Sequence, residues 1–285
     1  MAGLRILKKI HDLYLTLPLK VRFSFLIAIF IAISVFSIGF NEYRKSNGPD
    51  KKAYLTDNSL IDSGKTGKDA EEDNKEVNEE PKPKEVIIVI DPGHGGDDLG
   101  AYNGKLYEKD INLDISLRLG KLLSKEGIKV VYTREKDVFV DLDPRAKLAN
   151  DLGATLFISV HSNSMPNNSD YRGTETLYCP PANSENSKMD GRKLAIIVQN
   201  ELIKALKTVD NGIIYRPNLL VLRKTQMPAV IAEIAYISNP SDRAKLTSSE
   251  FKQKAANALS SAVMKALDRM EAKKDENGVW KVIQK

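Results

Sequence analysis

Two of the three histidines stand at the mouths of short apolar runs rich in β-branched residues. VIIVI leads into Asp91-Pro92-Gly93-His94-Gly95-Gly96, and ATLFISV leads into His161-Ser162-Asn163. Glu108 precedes a helical pattern, and Glu233 lies at the end of a further apolar run, AVIAE at 229–233. Neutral imidazole and carboxylate oxygen are the donors of catalytic zinc sites, which keep a fourth position open for water. Two histidines and one Glu as ligands, with a second Glu left free, are the equipment of metal-assisted hydrolysis. The ion lowers the pKa of water toward about 7 and polarises a carbonyl, while the free carboxylate moves protons. The glycines after His94 suit a loop whose backbone must come close to metal or substrate.

Taken singly, each residue has a plainer structural role. A lone histidine is more often a hydrogen-bonded core or surface residue than a ligand. Glu108 by itself equally complements the dipole of the helix it precedes. Glu233 is harder to set aside. In so apolar a run an unpaired carboxylate is expensive, so it needs a metal, a basic partner or a shifted pKa. Asp91 is expected to bond the loop amides or orient His94 from behind, not to ligate. Arg145 is expected to pin its helix through a salt bridge. Cys179, which precedes Pro-Pro without a neighbouring histidine, reads as structural.

The elements that must hold these groups alternate between strand and helix. Residues 85–90 (EVIIVI), 128–133, 154–160, 174–178 and 229–234 read as strands, and 110–125, 191–207 and 251–270 as helices. Asp143-Pro144 opens a shorter helix, with Asp143 as N-cap and Pro144 in the first turn. The expected fold class is α/β: a single three-layer domain, its largely parallel (mixed) twisted sheet covered by helices on both faces. In such sheets ligands bind beyond the carboxyl ends of the strands, where both histidines and both glutamates gather.

The remaining chain divides by composition. Residues 23–40, FSFLIAIFIAISVFSIGF, carry no charge and follow Arg5, Lys8, Lys9, Lys20 and Arg22. This predicts a cytoplasmic N-terminus (1–22) and a transmembrane signal anchor (23–40), with cleavage near Val35-Phe36-Ser37 as the alternative. Residues 41–84 form a charged linker too poor in apolar residues to fold, spanning about 35 Å as a flexible coil. The folded domain is assigned to 85–273 and a C-terminal tail to 274–285. The single cysteine excludes an internal disulfide framework and a Cys-based zinc cluster. A net charge of +5 on 285 residues comes with interleaved Lys and Glu, and no basic cluster is laced with aromatics, which sets nucleic-acid binding aside.

The chain resembles the zinc-dependent N-acetylmuramoyl-L-alanine amidases of bacterial cell-wall turnover (the type 3 amidases). VIIVIDPGHGG (86–96), YEKDINLDIS (107–116), DPRAKLANDLGATLFISVHSN (143–163) and PAVIAEIAYISN (228–239) carry the resemblance, in that order, and LLVLR (219–223) supports it. It covers about residues 85–270. It implies zinc held by His94, Glu108 and His161, with Glu233 as general base and then acid. The implied reaction cleaves the amide between the lactyl group of N-acetylmuramic acid and L-alanine of the stem peptide. Asn163 is expected to position substrate or water. The family's Glu-x-Gly-Phe here reads Glu233-Ile234-Ala235-Tyr236, so activity is expected to survive with an altered local fit. The segment 164–173 is too short for the helical plug of some relatives, which directs control to a partner (an activator protein), to substrate form or to expression. An anchor, a linker and a bare catalytic domain resemble the germination-specific, spore-cortex group, whose action permits muramic-δ-lactam formation. The expected partners are peptidoglycan and, through the N-terminal helix, a membrane, with the enzyme on its extracytoplasmic side. Two competing readings are a non-catalytic peptidoglycan-binding module, which predicts a broken ligand set, and a zinc peptidase acting within the stem peptide.

Overall fold

A computed structural model describes residues 82–179 and 188–283. The expected N-terminal segment, signal anchor and nearly all of the linker lie outside the described residues. Among the described residues no helix is long and apolar enough to cross a membrane.

A six-stranded sheet organises the domain. Its strands are β2 (Ile87–Pro92), β5 (Lys129–Tyr132), β6 (Leu156–Asn163), β7 (Thr174–Tyr178), β8 (Asp210–Tyr215) and β9 (Ala229–Tyr236). Their spatial order is β5-β2-β6-β9-β7-β8, with β7 antiparallel to β9 and every other pairing parallel. The sheet is therefore mixed but largely parallel, as expected. Its central strands are apolar on both sides because both faces are covered. One face packs under α1 (Glu108–Lys125), α3 (Gly191–Leu206) and α6 (Ser249–Arg269), where Ile88, Ile90, Ile158 and Val230 meet Ile115, Leu119, Leu202 and Leu259. Across the sheet, Val89, Phe157 and Ile231 meet Ala149 of α2 (Leu142–Asp151) and Val221 and Leu222 of α4 (Leu220–Lys224). Strand β8, helix α4 and helix α5 (Pro240–Thr247) lack a sequence signal strong enough to announce them.

Several boundaries differ from the sequence reading. The first strand splits, since Lys84–Glu85 (β1) leaves the main sheet to pair with β11 (Trp280–Val282), which also pairs with β10 (Lys273–Lys274). The stretch assigned as a tail is thus largely folded back as a strand turn against the domain. The N-cap of α2 is Asp141, whose carboxylate accepts from the Leu142 amide, and Asp143 lies inside the first turn and pairs with Lys224. A two-stranded ribbon of β3 (Tyr102–Asn103) and β4 (Leu106–Tyr107) leads into α1, Glu108 is the first residue of that helix and not a loop residue, and β6 runs on through His161 to Asn163.

Trp280 ties this small sheet to the domain through Nε1, which donates to the Glu126 carbonyl at 2.9 Å, and through Lys274 over its ring at 5.4 Å. Trp280→Ala is expected to cost about 1–2 kcal/mol from lost burial, hydrogen bond and cation–π contact. For a domain of this size that lowers Tm by roughly 2–8 °C. Calorimetry showing no shift would mean that the strand turn is not part of the cooperative unit.

Candidate active site

Four elements meet at the carboxyl ends of β2, β6 and β9. The loop after β2 carries His94, the start of α1 carries Glu108, β6 carries His161 and β9 carries Glu233. His161 and Glu233 are direct register partners, and the β6–β9 pairing slips just after them, between His161 and Asn163. Such irregularities commonly re-aim side chains at a site.

Glu108 is the hub. Its Oε1 lies 2.9 Å from His161 Nδ1 and 3.3 Å from His94 Nε2, and accepts from the Ser162 amide at 3.1 Å and from Asn112 Nδ2 at 3.2 Å. Its Oε2 accepts from the Ala101 amide at 2.8 Å. Burial alone would raise the pKa of this carboxyl, but hydrogen bonds and charge from His161 and His94 outweigh it and hold the group far below the usual carboxylate range. Burial pushes the His161 pKa down, yet the hydrogen bond to Glu108 prevails and lifts it to about 9. His94 shifts the same way for the same reasons.

These donors fit a metal ion. One ligand atom from each of His94, Glu108 and His161 lies within 4.8 Å of the others. Tetrahedral zinc with bonds near 2.0–2.1 Å requires ligand atoms about 3.3 Å apart, so small adjustments suffice. His94 Nδ1 donates to Asp98 Oδ2 at 2.8 Å, so Nε2, which faces the cluster, is the nitrogen that a metal would take once its proton is displaced. The packing around the cluster is close. A methyl group on Gly93 would come 2.2 Å from His161 Nε2, and one on Gly100 would come 2.6 Å from Glu108 Oε2.

The His94 loop is held from beneath by two buried guanidiniums. Arg145 pairs with Asp91 at 2.8 Å and donates to the carbonyls of Pro92, His94 and Val140. Arg134 donates to those of Pro92, Gly93 and Lys109. Asp91 also accepts from Thr133 and Ser159. Its carboxyl lies below the usual range because these partners outweigh the opposing effect of burial. Asp91 bonds no loop amide; of the two expected roles it takes the second, orienting His94 from behind through Arg145, which grips the His94 carbonyl. His94 itself has φ +62°, a strained left-handed conformation for a residue with a side chain.

Glu233 is 8% exposed, and its Oε2 has no hydrogen-bond partner in the protein. Burial is the largest influence on it. The charges of Glu108 and Glu175 act in the same direction, His161 opposes them, and the pKa rises to about 7. Glu175 lies directly opposite on β7. Asn163 does not point alone at the cluster. Its Nδ2 donates to Glu175 Oε1 at 2.9 Å and to the Tyr236 hydroxyl at 3.2 Å. Sequence reasoning missed Asp98, Asn112, Arg134 and Glu175. Asn112 was detectable as a polar residue one turn after Glu108, and Asp98 as an acid four residues after His94; the other two carried no local signal.

Fold and site together define an α/β enzyme with its polar cluster beyond the carboxyl ends of parallel strands. The family model for N-acetylmuramoyl-L-alanine amidase (Amidase_3) matches residues 88–265, and the chain belongs to that family. The chain is 38% identical over 172 residues to N-acetylmuramoyl-L-alanine amidase LytC of Bacillus subtilis, a match covering 60% of this chain and 34% of LytC. It therefore spans about a third of that relative. It is 29% identical over 193 residues to the germination-specific N-acetylmuramoyl-L-alanine amidase of Bacillus subtilis, covering 63% of this chain and 78% of that one. The solved CwlD amidase of Clostridioides difficile, determined in complex with the GerS lipoprotein, superposes with a TM-score of 0.59 at 29% identity, covering 64% of this chain and 98% of that chain. The protein is a peptidoglycan amidase.

Two stability measurements follow. Arg145→Met leaves Asp91 charged and unpaired in the interior and should cost about 3–5 kcal/mol in urea unfolding. Arg145→Lys should recover only part, because an ammonium cannot serve the same fork of acceptors. A loss below about 1 kcal/mol would remove the pair from its structural role. In metal-free protein, the folded-state pKa of Glu233 (about 7) lies above its ordinary value of 4.5, so folding takes up a proton between them. Stability should therefore fall as pH rises through that window. Glu233→Gln should abolish that part of the slope and stabilise the protein at pH 8 by on the order of 1–3 kcal/mol, with little effect at pH 4.

Proposed function

We propose that this amidase is zinc-dependent, that His94, Glu108 and His161 hold the ion, and that Glu233 is the proton-transferring carboxylate. The observation that carries the reading is a buried, unpartnered carboxylate oxygen on the strand next to a preorganised His–Glu–His cluster. Zinc, when bound, supplies a Lewis acid for the lactyl carbonyl and acidifies water. The protein's own groups do the rest. Asp98 and Asn112 keep His94 and Glu108 oriented. Glu233, buried beside the cluster with one oxygen unpartnered, takes a proton from the attacking water and delivers it to the alanine nitrogen as the C–N bond breaks. The products are a free lactyl carboxylate and a stem peptide beginning with L-alanine.

We infer further that the enzyme acts from a membrane anchor (23–40) on the extracytoplasmic side, through the linker at 41–84, in the maturation of spore cortex. The charge-free run behind basic residues and the similarity to a germination-specific amidase support this. A lipoprotein-type activator is also proposed, on the analogy of the amidase solved with GerS.

Incubation of the full chain in detergent with zinc and purified peptidoglycan, followed by mass spectrometry, tests the reading. Stem peptides starting at L-alanine should appear. They should vanish on chelation, return with zinc, and fall by a factor of about 10²–10⁴ in Glu233→Gln. Glu108→Ala should abolish stoichiometric zinc binding. Cleavage between stem residues instead would point to a peptidase, and undiminished activity in Glu233→Gln would overturn the role of that residue.

A further inference from the structure

Beside the His94–His161 cluster lies a cavity of about 70 Å³, bounded on its far side by Phe139, Val140 and Leu142. The segment carrying these residues links β5 to α2 and exposes an unusual amount of apolar surface. Phe139 is 58% exposed, Leu142 50% and Val138 38%. It is not a loose loop. The two glycines after His94 exist to seat it: a methyl group on Gly95 would come 2.2 Å from the Val138 carbonyl oxygen, and one on Gly96 2.6 Å from the Phe139 amide nitrogen. Asp137 accepts from the Gly96 amide at 2.7 Å, and Lys109 Nζ bridges Asp137 and the Gly96 carbonyl. Arg145 holds the Val140 carbonyl while also holding that of His94. A rigid aromatic wall is therefore fused to the same loop that carries a cluster histidine.

The acidic groups on this side are mostly answered: Asp98 by His94, Asp137 by Lys109 and Asp91 by Arg145. Asp141, which also lines the cavity, accepts from the Leu142 amide, so what the segment offers a ligand is chiefly the exposed Phe139 ring with a few oxygen acceptors at its edge. A sugar is neutral where it meets the wall, with an apolar face that stacks on an aromatic ring and hydroxyls that donate to carboxylates. The cavity has room for about two water molecules, which suits a small substituent and not a ring.

We propose that the 138–142 segment is the subsite for the muramoyl side of the substrate, with the pyranose ring stacked on Phe139 and a small acyl or methyl substituent in the cavity. Phe139 and Leu142 thereby determine the enzyme's requirement for glycan on its substrate. The proposal rests on the assignment of the His94–Glu108–His161 cluster as the reacting centre.

The test compares two substrates with the zinc-loaded full chain: a disaccharide-peptide, and a D-lactyl-peptide of the same sequence without sugar. The wild type should prefer the first. Phe139→Ala should raise its KM about tenfold with kcat within twofold, leave the sugarless substrate unchanged, and be rescued by Phe139→Trp. Because the side chain is exposed, folding should be unaffected. Binding of the peptide-free disaccharide, followed by calorimetry, should weaken by a similar factor and reads the subsite even if turnover fails. Equal effects on both substrates, no effect on either, or a loss confined to activation by a partner protein would overturn the proposal. Intact disaccharide binding without any amidase product would instead strike at the reacting centre.

Discussion

The buried Asp91–Arg145 ion pair is the constraint on which the site depends. A carboxylate taken out of water at the end of a central strand is tolerable only with a cation and hydrogen bonds around it, and Asp91 has Arg145, Thr133 and Ser159. The guanidinium recruited for that purpose has donors to spare. They run to the carbonyls of Pro92, His94 and Val140, while Arg134 takes up those of Pro92 and Gly93. Turning its carbonyls inward forces the loop into a conformation that His94 alone would not adopt. One ion pair thus aims a histidine, supports an adjacent apolar wall and fastens α2 to the sheet.

Two glutamates in one small volume are driven apart in acidity by their surroundings. Glu108 is clasped by two imidazoles, an amide nitrogen on each oxygen and Asn112, so its charged form is favoured in spite of burial. Glu233 is buried with an unanswered oxygen and two acidic neighbours, so its neutral form is favoured. The difference arises from position and not residue type. The first stays charged, and the second keeps its proton up to about neutral pH.

The reversal of β7 adds a local feature. Running antiparallel to β9, it sets Glu175 beside Glu233, where Asn163 and the Tyr236 hydroxyl hold it. Tyr171 packs edge-on against Tyr236 at 4.9 Å. Tyr236, where the family pattern leads us to expect phenylalanine, is thus bonded into the rim of the site through its hydroxyl.

The sequence by itself determined the α/β class, the three residues of the cluster with Glu233 beside them, and the family, because these depend on local information: β-branched runs, helical spacing and short motifs at strand ends. It also placed Arg145 in a salt bridge, since a cation in the first turns of a short helix needs a partner. The tertiary structure alone decided what the partners were. Asp91 lies 54 positions from Arg145, Glu175 faces Glu233 across 58, and Gly95 and Gly96 serve a wall more than 40 positions away. Asp141 displaced Asp143 as the helix cap, and the supposed tail found a strand partner in residues that read as the start of β2. Such choices follow from which backbone groups become buried together. Burial is a property of the assembled layers, and no window of sequence contains it.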